Sequence, residues 1–183
     1  MATTTAFMTA EEYLKLPDSG RPTELVRGEV LDMNPPTSRH GQICSKVARI
    51  LGNYADEHRI GHVLSNDSGI ITQRDPDTVR GADVAYYSYQ KVPPGPLPAG
   101  YLPVPPDLVF EALPPSERRT AIFAKVAEYL EAGGKVVCVL DDEPRRADLY
   151  FADKPLETVS ADEPLTFPEI LGEFAVPVGR FFE

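Results

Sequence analysis

Long apolar runs are missing from this chain of 183 residues, in which no stretch approaches the roughly 18 apolar residues that a membrane-spanning helix needs. Residues Met1 to Phe7 also lack a basic segment followed by an apolar one, so nothing marks the chain for export. Cysteine is scarce: Cys44 and Cys138 lie far apart, the second amid valines where a thiol behaves as a small hydrophobe, and a reducing cytoplasm fits best. Positive charge is in deficit, with 18 Lys and Arg against 28 Asp and Glu and a formal net charge of −10. Such a chain repels a polyanion as a whole, so contact with nucleic acid would rely on a local basic face or on bound cations. An apolar content of 42% supports one sizeable core, and a single globular domain over residues 1–183 is expected.

Local signals then divide the chain. Thr9 and Glu12 have capping-box spacing, which predicts a short helix to about Leu16 before Pro17 stops it. Two strand-like runs from Glu24 to Met33 flank an Arg27-Gly28 turn and read as a hairpin. Ser38 can cap a following helix, in which Ile43, Val47, Ile50, Leu51 and Tyr54 recur at helical spacing; it is expected over about 38–59, with Gly61 ending the run. Short strands are expected at His62–Asn66, Ser68–Gln73 and Ala82–Tyr87, as neighbours in one sheet.

Between Tyr89 and Pro106 stand seven of the 19 prolines, which deny the backbone donors that a helix or ladder needs. This long loop is either a functional flap or filler, and its place between two key strands leans toward a flap. Asp107–Leu113 reads as a strand, Ser116–Ala132 as an amphipathic helix closed by Gly133-Gly134, and Lys135–Asp141 as a buried strand, together a strand, helix, strand crossover. A further strand is expected at Ala147–Ala152, and Leu165–Glu183 forms a closing segment rich in Phe and Pro.

Two acids stand out because they interrupt buried strands. In the Asp107–Leu113 run, alternation puts Glu111 on one face with Val109 and Leu113, and Asp83 opens a similar strand. Buried carboxylates survive by pairing or by holding a cation, and two on adjacent strands can share one ion. Lys125 sits at the edge of the inward stripe Ile122, Val126, Tyr129, Leu130 and Gly133, from where its ammonium can reach the strand ends. Carboxylates to hold Mg²⁺ and a cation to orient water or neutralise phosphate are what phosphodiester hydrolysis requires. Asp107 is no partner for Glu111, since four residues of strand separate them by about 13 Å. Plainer roles are open as well: Asp83 as a strand-end cap, Glu111 as an ion partner of Arg118 or Arg119, Lys125 as a solvated helix lysine. His58 and His62 have metal-like spacing, but Gly61 falls between them and no third ligand is near in sequence, so zinc gets little weight.

Five strings in order carry a resemblance: ELVRGE at Glu24–Glu29, NPPTSRH at Asn34–His40, RGADVA at Arg80–Ala85, PPDLVFEALPPS at Pro105–Ser116, and KVAEYLEAG at Lys125–Gly133. Over nearly its whole length the chain resembles the Uma-two family of restriction endonuclease-like proteins, a bacterial branch of the PD-(D/E)XK nuclease superfamily. The resemblance implies an α/β fold with a restriction-endonuclease-like mixed β-sheet flanked by helices, built on an αβββαβ core. It places the metal-binding acids at Asp83 and Glu111, the lysine, shifted onto the following helix, at Lys125, and a further acid at Glu24. Ala82 stands where the family usually has proline, Ala112 where it has valine, and Leu113 where the wider superfamily has its lysine.

The same resemblance implies a Mg²⁺-dependent (or Mn²⁺-dependent) endonuclease acting on DNA, with RNA or a branched substrate as variants. His40 matches a recurrent family position, and Arg39, Lys46, Arg49, Arg118 and Arg119 are the candidate phosphate contacts. A homodimer is expected, because two symmetric sites are the simplest way to cut both strands of a duplex. The competing reading is a binding or assembly module that keeps the nuclease fold without catalysis, motivated by the acidity and by the departures around Asp83.

Overall fold

The computed structural model describes residues 7–17, 19–113 and 119–183. Arg118 and the side chain of Arg119 lie outside the described residues, as does the expected helix start at Ser116. Helix α1 (Ala10–Tyr13) carries the full capping box, with the Glu12 N–H donating to Thr9 Oγ1 at 3.2 Å and the Thr9 N–H donating to Glu12 Oε2 at 2.8 Å. It is shorter than expected: the chain turns out at Leu14, since Pro17 disfavours helical geometry just before it.

Strands β1 (Thr23–Val26) and β2 (Glu29–Asp32) form the expected hairpin. Its two turn residues, Arg27 and Gly28, have φ of 50° and 78°, the left-handed pair that matches the twist of a two-residue hairpin. A side chain at Gly28 would also meet Phe7 Cβ at 2.4 Å, so glycine is required twice over.

Helix α2 (Ser38–His58) is capped by Thr37, not by Ser38, with the His40 N–H donating to Thr37 Oγ1 at 3.3 Å. Its buried stripe is Ile43, Val47, Leu51 and Ala55, and it ends at Arg59, which takes the left-handed conformation, before Gly61 is reached. The three short strands expected next are two long ones, β3 (Gly61–Gln73) and β4 (Thr78–Ser88). His62–Asn66 and Ser68–Gln73 belong to one strand, bulged where Asn66 and Asp67 adopt positive φ and the register slips from Ser65 opposite Val84 to Ser68 opposite Ala82.

The crossover follows as expected: β5 (Leu108–Ala112), α3 (Arg119–Glu131) and β6 (Val136–Asp141), with β5 and β6 parallel. Strands β7 (Arg146–Phe151) and β8 (Glu157–Val159) extend the sheet by antiparallel pairing. The closing segment makes a small two-stranded sheet from β9 (Pro164–Thr166) and β10 (Ala175–Pro177), with helix α4 (Pro168–Leu171) between them and a 3₁₀ turn at Val178–Phe182.

The main sheet is mixed, has eight strands and runs β2-β1-β4-β5-β6-β7-β8, with β3 on the other edge of β4. Strand alternation sorts the core into two layers. Val84, Tyr86, Leu108, Phe110, Cys138 and Leu140 pack with α2 and the closing segment. Ala85, Tyr87, Val109, Val137 and Val139 pack with Ile122, Val126 and Tyr129 of α3. The α2-β3-β4-β5-α3-β6 order reproduces the expected αβββαβ core. The proline-rich loop is not a flap over the site: Val92, Leu102 and Val104 pack on the α3 layer, and no residue of 89–106 lines the cavity described next.

Candidate active site

The site exists because the sheet forks. Val79 of β4 pairs with Ile71 on one edge and Leu25 of β1 on the other, whereas Val84 pairs with Ser65 on the first edge and Phe110 of β5 on the second. One edge of β4 therefore serves two strands in turn, and residues 80–83 lie in the gap between them. Side chains take over the pairing there. The Gly81 N–H donates to Glu24 Oε1 at 3.1 Å, while the Gly81 carbonyl accepts from Lys125 Nζ at 3.0 Å and from the Tyr129 hydroxyl at 3.2 Å.

Asp83 and Glu111 come together on this gap, lining one cavity of about 290 Å³ with Glu24, Lys125, His40 and Asp67, and with the apolar residues Met33, Pro35 and Ile122. Asp83 is 7% exposed; its Oδ2 accepts the Ala112 N–H at 2.7 Å, which clamps β4 to the end of β5, and its Oδ1 lies 3.0 Å from His40 Nε2. Glu111, 2% exposed, takes the Tyr129 hydroxyl at 2.9 Å on Oε1.

Lys125 is not a solvated helix lysine. Its ammonium lies 2.7 Å from Glu24 Oε1, and Arg80 closes the network by donating to Glu24 Oε2 at 2.9 Å and to both oxygens of Glu128 at 2.6 and 2.7 Å. Burial pulls the Lys125 pKa down, but the charges of Glu111 and Glu24 outweigh it and hold the group above its ordinary range, so the ammonium is charged at neutral pH. The His40 pKa is raised by its hydrogen bond to Asp83, against the opposing pull of burial.

Burial pushes the Glu111 carboxyl up to about 8, with Lys125 opposing and Asp83 adding to the rise. A carboxyl kept in this state beside a second carboxylate fits a divalent cation, whose charge reverses the penalty, and the paired carboxylate oxygens are the hard donors that Mg²⁺ or Mn²⁺ prefers. Asp83 and Glu111 would hold such an ion. The sign of the pH effect follows: a carboxyl whose folded pKa lies above its unfolded one near 4.5 keeps its full stabilising contribution below that value and loses it as pH rises toward 8. Without divalent ions, thermal melting should therefore drop as pH climbs between those values, and Glu111→Gln should flatten the slope. An unchanged slope in that variant would refute the assignment.

The remaining expected residues fall elsewhere. Arg39 is ion-paired with Asp142 at 2.5 Å and also donates to the Phe182 carbonyl at 2.9 Å, pinning the C-terminal turn to α2. Lys46 is half-buried and Arg49 exposed on α2, and neither lines the cavity. Asp107 is bound up at the far end of β5, 2.9 Å from Lys135 Nζ and accepting the Ser88 N–H at 2.9 Å. His58 and His62 do not meet, since His58 stacks on Tyr54 and His62 lies 3.0 Å from the Pro93 carbonyl. Four neighbours were not assigned to the site from the sequence: Tyr129, Arg80, Cys44, which was read only as one of two scarce thiols, and Asp67. Tyr129 was legible only as an inward stripe residue, and Arg80 as the first letter of the RGADVA string.

Comparison with known proteins agrees with this fold. A family model described as "Uma2: Putative restriction endonuclease" matches residues 10–179. A crystal structure of a putative nuclease belonging to DUF820, from Anabaena variabilis, superposes with a TM-score of 0.82 at 19% identity, covering 96% of this chain and 97% of the other. No curated protein matches.

Proposed function

Because the chain belongs to the Uma2 family, we propose that it is a divalent-metal-dependent endonuclease that hydrolyses DNA phosphodiester bonds at the fork between β1, β4 and β5. The observation that carries this reading is the meeting of Asp83, Glu111 and Lys125 in one cavity, from three separate elements. Asp83 also clamps β4 to β5 and Lys125 also pairs with Glu24, but a bare scaffold has little reason to gather both carboxyl groups and the ammonium around one cavity.

A Mg²⁺ or Mn²⁺ ion held by Asp83 and Glu111 supplies charge neutralisation and lowers the pKa of water at the scissile phosphate. Among the described residues Lys125 Nζ has two hydrogen-bonding partners, Glu24 and the Gly81 carbonyl, and its third N–H donor is the one that would serve the attacking water or a phosphate oxygen. Glu24 is a positioning residue: held on both oxygens, it fixes the ammonium rather than touching substrate. Tyr129 holds Glu111 in the same way. With a net charge of −10, approach of a polyanion would rely on a local basic face or on a cation held by Asp83 and Glu111. A symmetric pair of chains is the arrangement we propose for cutting both strands.

Incubating the full chain with supercoiled plasmid, in Mg²⁺, in Mn²⁺ and in EDTA, tests this. Relaxed and linear products are expected with either ion and none with the chelator. Uncleaved plasmid in all three would favour the binding or assembly module instead.

A further inference from the structure

Asp83 also faces a second cavity, of about 320 Å³, whose wall includes His40, Cys44, Asp67 and Pro36. His40 and Cys44 stand four residues apart on α2, so one helical face presents an imidazole and a thiol side by side. Opposite them β4 presents Asp83, and one ligand atom from each of the three residues lies within 4.8 Å of the others. Nitrogen and sulfur from one helix and oxygen from the facing strand, at the wall of an open cavity, are donors that suit a tetrahedral transition-metal site with an open position. Bonds of about 2.0–2.3 Å at tetrahedral angles set such atoms about 3.5 Å apart, so a closure of roughly 1 Å completes the geometry. His40 Nε2 and Asp83 Oδ1 are already 3.0 Å apart.

We propose that His40, Cys44 and Asp83 bind a thiophilic divalent ion of the Zn²⁺ and Co²⁺ class, at a site that shares Asp83 with the two-carboxylate centre. A hard ion held by Asp83 and Glu111 has no use for sulfur, and Cys44 lines only the second cavity and Glu111 only the first, so the thiol marks a different metal chemistry at the shared carboxylate. On binding, the Cys44 S–H bond breaks heterolytically and the sulfur lone pair forms the metal bond, while His40 Nε2 gives up the proton that it directs at the Asp83 carboxylate, by losing it or by shifting it to Nδ1; the released protons go to solvent and no oxidation state changes. The site goes beyond the hydrolytic reading and stands whether or not DNA is cleaved.

Titrating the metal-free full chain with Co²⁺ tests it, because a cobalt–thiolate bond gives a near-ultraviolet charge-transfer band that oxygen and nitrogen ligands do not. The band is expected to saturate at one Co²⁺ per chain and to bleach on adding Zn²⁺, which sits in a tetrahedral site without geometric preference of its own. It should be lost in Cys44→Ser, while His40→Gln should weaken Co²⁺ binding by at least about 10-fold. A wild-type chain without the band overturns the proposal, and that titration needs no variant to fold. A band that persists in Cys44→Ser, which would then come from Cys138, overturns it equally.

Discussion

Replacing Asp83 with asparagine is expected to leave a folded protein whose Mg²⁺-dependent DNA cleavage falls by on the order of 10³-fold. The asparagine carbonyl can still accept the Ala112 N–H that clamps β4 to β5, so the fork stays closed. What disappears is one of two anionic ligands, and with it the ability of the cavity to hold a hard cation at micromolar to millimolar concentrations. Single-turnover cleavage rates, read beside thermal melting and Mn²⁺ binding by electron paramagnetic resonance, separate these effects. Wild-type cleavage and wild-type Mn²⁺ binding in this variant would remove Asp83 from the centre altogether.

Lys125→Met should lose both activity and stability, for different reasons. The ammonium is the closest cation to Glu24 and stands beside Glu111, and the Lys125 and Glu24 side chains are only 13% and 5% exposed. Removing one partner of a buried pair leaves an uncompensated charge, a loss of about 3 kcal/mol or more, which in a chain of this size lowers the melting temperature by on the order of 10 °C. Arg80 still pairs with Glu24 and limits the damage. Adding Glu24→Gln to Lys125→Met should recover much of the stability, because both charges are then gone, yet recover none of the cleavage. A double variant that regained cleavage would show that the lysine acts only through folding. A Lys125→Met protein as stable and as active as wild type would remove the lysine from the centre.

Much of the architecture was legible in local pattern, and the reasons differ from element to element. The Thr9–Glu12 capping box, the Arg27-Gly28 hairpin turn and the β5-α3-β6 crossover rest on contacts within a few residues or on an uninterrupted apolar run, so period and turn chemistry report them directly. The errors lie where tertiary pairing overrules local signals. Asn66-Asp67 looks like a break between strands, but pairing with β4 on both sides absorbs those two residues as a bulge. The loop over 89–106 earned attention from its prolines and its neighbours, whereas its apolar residues were the informative ones, since they bury it against α3.

By itself the sequence determined which residues were anomalous. Glu111 and Asp83 are carboxylates in strands too apolar to tolerate them singly, and that conflict is visible without any coordinates. Only the tertiary structure decided what resolves it. The division of one β4 edge between β1 and β5 opens a gap into which Glu24 arrives from the hairpin, Lys125 and Tyr129 from the crossover helix, and His40 from α2. These contacts join residues tens of positions apart through sheet pairing. Side-chain periodicity along a single element carries no information about which strand edge another element will meet.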